Sequence, residues 1–205
     1  MQTTLLECLE YEDRVLDGTL KGNPDPFSDE TYGDNYMSAL EGAVLDIAHK
    51  TRDQRAFDAL IRSAYNDDSE LGKELVNRIE NLPTLMDVAK GSGVGGRMSA
   101  LSIIGSMLEA SKKAPQPLIP ASSYRDAKKL LTEAAGNASE SPLVRGASVR
   151  ALSRIADRDD LVLLQRLAAS DSSSCAGTDG LQHYPIRDEA VKGVNSILSK
   201  ATLEK

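Results

Sequence analysis

The chain has 205 residues, of which 40% are hydrophobic but only 4% aromatic, with no Trp. This supply builds a core of Ala, Leu, Ile and Val, suited to close helix–helix packing, and disfavours the aromatic platforms that cradle nucleobases. The net charge of −7 opposes binding to DNA, RNA or anionic membrane, which require a basic stripe.

The charge is unevenly placed. Residues 1–34 hold nine acids against Arg14 and Lys21, whereas residues 35–205 hold 22 of each sign. The chain therefore divides into an acidic N-terminal arm, 1–34, and one continuous domain, 35–205. The start carries neither a basic n-region nor an apolar h-region, and no run approaches 18 apolar residues. Cys8 and Cys175 stand far apart with no ligand spacing. The expectation is a soluble, cytoplasmic chain with free thiols.

In the arm, Leu5, Leu6, Leu9 and Leu16 predict a short helix over 3–16. Gly18, Gly22, Pro24, Pro26 and Gly33 then predict a loop. Asp34 or Asn35 caps a helix carrying Leu40, Ala43, Val44 and Ile47, and Asp53 caps its return helix with Phe57, Leu60, Ile61 and Ala64. Ser69 opens a second hairpin through Leu71, Leu75, Val76 and Ile79. Its return helix runs over 84–90, with Pro83 in the first turn, where its missing N–H costs nothing. A third helix runs from Val94 to Lys113, and Ser122 or Ser123 caps its return, ended by Gly136. Ser141-Pro142 starts the fourth. Its stripe of Val144, Ser148, Ala151 and Ile155 is expected to face the hairpin partner, and Val149 and Ala156 a neighbouring repeat. Asp157–Asp160 makes the turn into a return helix with Leu161, Leu164, Leu167 and Ala168. A polar stretch, 170–180, precedes a last helix over 185–200. No period-two apolar run appears, so no strand is expected and the chain reads as all-α.

Three of these helices superpose. Arg97, Arg145 and Arg187 coincide, as do Ala100, Ser148 and Ala190; Leu101, Val149 and Val191; Ile104, Leu152 and Val194; and Met107, Ile155 and Ile197. Such a period is that of a helical hairpin in a stacked array. The run Val144-Arg145 through Asp157 resembles the first-helix signature of HEAT repeats, in particular the HEAT-like subgroup described in phycobilisome-lyase proteins, and 96–108 and 186–198 are similar. The resemblance implies an α-solenoid, a HEAT-like superhelix of about four antiparallel hairpins plus terminal helices, whose second helices line a concave, partner-binding face. Ser153 and Asn195 depart from the small residue common at their position.

Motifs for chemistry are weak. Gly91-Ser-Gly93-Val-Gly-Gly96 satisfies a dinucleotide fingerprint in letters, but a helix is expected before it where the fold requires a strand. Asp46 precedes His49 by three and Glu189 stands six beyond His183, but neither makes a convincing ligand pair, and Asp157–Asp160 lacks the terminal bidentate Glu of a calcium loop. No catalytic residue, cofactor or metal site is therefore expected. The repeated Arg is read as structural, its stem over a neighbouring helix and its head on a carboxylate or carbonyl.

The expected function is a non-catalytic protein-interaction scaffold or adaptor, binding another protein on its concave face. Projecting residues of the return helices are the candidates: Arg55, Asp58 and Arg62; Tyr124, Arg125, Lys128 and Lys129; Gln165 and Arg166. Two alternatives remain open: a small inhibitor or immunity-type protein that blocks a basic site with its acidic arm, and a bilin-lyase-related, chromophore-handling subunit. A lesion-binding glycosylase is disfavoured, since a basic groove and aromatic rings are missing.

Overall fold

The computed structural model describes residues 75–91, 93–176 and 182–203, with Lys50 and Ile61 as isolated positions. The expected arm at 1–34 and the first hairpin lie outside these residues. Among the described residues there are six α-helices: α1 (Leu82–Lys90), α2 (Val94–Lys113), α3 (Ala121–Gly136), α4 (Pro142–Ile155), α5 (Leu161–Ser170) and α6 (Pro185–Leu203). The described chain is mostly helical.

Local chemistry explains the boundaries. Pro83 stands in the first turn of α1 and Pro142 opens α4, where the missing N–H is no loss. Helix α2 stops at Lys113 because Ala114 precedes Pro115 and is forced to extended backbone (ψ 146°). The Ser111 hydroxyl then accepts from the N–H groups of Leu118 and Ile119, both at 3.1 Å, and ties the Pro-rich loop back to α2. The expected cap of α3 is corrected. Ser122 and Ser123 lie inside its first turn, and Pro120 occupies the N-cap with its carbonyl accepting from Tyr124 N–H at 2.9 Å. Proline's fixed φ sets the entry without a side-chain cap.

Between α4 and α5, Arg158–Asp160 forms one 3-10 turn with a capping box. The Asp157 carboxylate accepts from Asp159 N–H at 3.1 Å, and the Asp160 carboxylate from Asp157 N–H at 2.9 Å. The capping role read from the sequence is the observed one. The absence of strands needs a small correction. Cys175–Ala176 (β1) and Gln182–His183 (β2) pair antiparallel, Cys175 with His183 and Ala176 with Gln182. Two residues per strand leave no alternation for a pattern to reveal.

Packing is most extensive between α2 and α4, followed by α5 with α6, α4 with α6, and then α1 with α2 and α3 with α4. The α2–α4 and α4–α6 contacts use the same pair of superposed positions. A Cβ on Gly105 of α2 would lie 2.5 Å from the Ala151 Cβ of α4, and one on Gly193 of α6 would lie 2.7 Å from the Ser153 hydroxyl of α4. Gly105 superposes on Ser153, and Ala151 on Gly193. One glycine per contact lets the axes approach, so Ser153 is accommodated because its opposite number lacks a side chain. Its hydroxyl lies 2.7 Å from the Glu189 carbonyl across the interface.

This corrects the expected facing of α4. Ala151 meets α2, not the return helix α5, which packs chiefly on α6. Small residues decide the neighbour here, because only they admit a second backbone. Around these contacts Leu101, Ile104, Leu108, Val149, Leu152 and Ala156 are buried, with Leu131 of α3 and Leu164 of α5. Each large aliphatic side chain contributes about 1.5–3 kcal/mol on burial. Helices of 9 to 20 residues need that contribution, since below about 12–15 residues they are marginal alone.

Candidate interaction surface

The three superposed arginines are structural anchors at one end of the first helices. Arg97 Nε donates to the Ala89 carbonyl at 3.1 Å, near the end of α1, and its terminal nitrogens grip the Glu140 carboxylate beyond α3, with Nη1–Oε1 at 3.0 Å. Arg145 repeats the arrangement: Nε to the Ala135 carbonyl at 3.4 Å, Nη1 to the Ser173 hydroxyl at 3.1 Å, and Nη2 to the Asp171 carboxylate. Arg187 donates from Nε to the Asp171 carbonyl and lies 4.2 Å over the Tyr184 ring centroid. Arg97 thus joins the end of α1 to the loop after α3, and Arg145 the end of α3 to the loop after α5. The Arg97 hydrogen bond holds the Glu140 carboxyl below the usual carboxylate range. Burial raises Asp171, but hydrogen bonds from Ser173 and Arg145 outweigh it and lower its pKa.

The candidates on α3 part into two groups. Lys128 is turned inward, its ammonium 2.6 Å from Asp157 Oδ2 and 2.9 Å from Asp160 Oδ2, with 18% of its side chain exposed. It clamps α3 to the start of α5. Burial works against its charge, but hydrogen bonds to Asp157 and Asp160 raise its pKa. The Asp157 carboxyl is likewise pushed up by burial and pulled further down by Lys128. Tyr124 is half-buried beside this cluster. Burial lifts its phenol pKa against the opposing charge of Lys128.

Arg125 and Lys129 point outward, the latter with only Glu133 at 3.7 Å on its own helix. Gln165 and Arg166 of α5 are exposed as well. A side chain at Gly136 would come 3.7 Å from both Arg166 Nη2 and Leu163 Cδ1, so the end of α3 lies beside α5. Arg125, Lys129 and Arg166 are thus exposed cations on two adjacent helices, α3 and α5. Arg55, Asp58 and Arg62 lie outside the described residues. The internal role of Lys128 escaped sequence reasoning because its acids stand 29 and 32 positions further on.

Other motifs find plain settings. The run Gly91–Gly96 follows helix α1 and its last three residues already belong to α2, so a helix and not a strand precedes it. His183 lies exposed in β2, while His49 is outside the described residues. An open cleft of about 390 Å³ lies between α1 and the start of α3, with Met86, Pro83 and Pro120 in its wall and Glu80, Asp87 and Asp126 at its sides. Among the described residues no three His, Cys, Asp or Glu side chains gather as a metal site, and no helix is long and apolar enough to cross a membrane. Compared with known proteins, the chain matches no family model, no curated protein and no solved structure.

Proposed function

We propose that this chain is a non-catalytic protein-interaction module, a HEAT-like α-solenoid that holds a partner protein on the face formed by its return helices. The observation that carries the reading is the repetition of one interface. Gly105 against Ala151 and Ser153 against Gly193 occupy equivalent positions, and Arg97 and Arg145 make equivalent links from the end of one return helix to the loop after the next. Repeated use of one contact supports a stack, and a stack extends a surface more readily than it encloses a pocket. The exposed cations Arg125, Lys129 and Arg166 suit a partner with acidic groups there, where polar side chains outside structural bonds are free to contribute specificity.

The test is affinity purification with the full chain from its native cell, in parallel with a variant carrying Arg125→Glu, Lys129→Glu and Arg166→Glu. Loss of the same captured protein, at unchanged helical circular dichroism, is the expected result. Equal capture by the variant would refute the α3–α5 site and direct attention to residues 1–34.

A further inference from the structure

The last helix exposes what its two predecessors cover. At one repeat position Leu101 and Val149 are fully buried, whereas Val191 is 44% exposed; at another, Leu108 and Ala156 are buried, whereas Leu198 is 49% exposed. Gly105 and Ser153 receive Ala151 and Gly193 of the following helix, but the equivalent Asn195 is exposed. The arginine shows the same incompleteness. Arg97 and Arg145 each hold a carbonyl near the end of the helix before, Ala89 of α1 or Ala135 of α3, and a carboxylate from the loop ahead of the next aligned helix. Arg187 makes the first of these bonds, to Asp171. Its terminal nitrogens meet no carboxylate among the described residues.

We propose that the exposed side of α6, from Arg187 through Val191 and Asn195 to Leu198, docks a helix of another protein, one with a carboxylate ahead of its first turn and a small residue near its middle. The two internal interfaces define this chemistry. What covers α2 is a helix with Ala151 opposite Gly105 and Glu140 ahead of its start, and Glu140 satisfies Arg97. An occupant with the same features completes the pairing of Arg187 and removes Val191 and Leu198 from water. A second copy fits less well. Parallel pairing of two α6 helices sets Arg187 against its like, and antiparallel pairing carries Asp188 and Glu189 to the opposite end from the mate's Arg187. This surface is separate from the α3–α5 face, so either can fail alone.

The test uses the isotope-labelled full chain and a synthetic peptide of residues 139–157, which contains Glu140 and Ala151. Amide shifts in NMR should centre on Val191 and Leu198. Affinity should fall roughly tenfold with Arg187→Gln in the protein or Glu140→Gln in the peptide, the loss expected for a charge-assisted hydrogen bond, with little added loss when both are changed. Val191→Glu, at an already exposed site, should abolish binding without lowering the melting temperature. Absence of shifts at millimolar peptide, or affinity indifferent to Arg187, would overturn the proposal. So would concentration-dependent self-association that Val191→Glu removes, since it would give the face to a second copy.

Discussion

Gly105 on α2 and Ala151 on α4 approach so closely that a Cβ on the glycine would sit 2.5 Å from the alanine Cβ and 2.9 Å from its Cα. Backbone, not a pliant side-chain end, is what such a Cβ would meet. Gly105→Ala should therefore push two helices apart and destabilise the chain by about 1–3 kcal/mol, despite alanine's better helix propensity. Urea unfolding followed by circular dichroism measures this; a stabilised variant would show that the helices do not approach so closely.

Arg145 and Asp171 form an ion pair with side chains only 8% and 3% exposed. Removing one member strands the other. Arg145→Met should cost about 3–5 kcal/mol, and Asp171→Asn should also be costly, whereas the two together should cost clearly less than their sum. A double-mutant cycle in urea reads the coupling. Strict additivity would mean that the pair does not exist in solution.

The carboxylates of Glu140 and Asp171 have pKa values below their usual ones, so the folded chain binds fewer protons than the unfolded. Their stabilisation is complete above the unfolded values of about 4.3 and 3.9 and is lost as pH falls through the lower folded values. The urea midpoint should decline on acidification below about pH 4. Glu140→Gln should start lower and decline less steeply, and parallel slopes would argue against its pairing with Arg97.

Two neighbouring lysines should behave differently. Lys128→Met leaves the buried Asp160, 5% exposed, without its cation and should cost about 1–3 kcal/mol. Lys129→Met removes a contact between side chains 71% and 63% exposed and should change stability by less than about 0.5 kcal/mol. Thermal unfolding of the two variants side by side separates them. Because Lys128 has a raised pKa, its contribution is fully present below the unfolded value of about 10.4 and fades as pH rises through the folded one.

Much of the helical plan was legible because it is written in local signals. Val94, Pro142 and Pro185 begin helices where the apolar period and proline placement say they should, and Pro115 ends α2 at Lys113. The repeated arginine was legible as an anchor, though not its partners, which come from loops 26 and 43 residues away. Helix periodicity shows which positions are apolar but not which neighbour covers them. The period alone thus assigns Ala151 to its own hairpin, whereas in the structure it meets Gly105 of α2. For the same reason Lys128 looked outward on a helical wheel, while the turn at 157–160 draws it in.

Asp171 has one further consequence. Its side chain answers Arg145 of α4 and its carbonyl answers Arg187 of α6, so a single residue is common property of two helices that are neighbours in space but not in sequence. The final segment cannot fray without disturbing the bond that seats its predecessor. Hydrogen exchange should therefore find α4 and α6 opening together, as one cooperative block with a common protection factor.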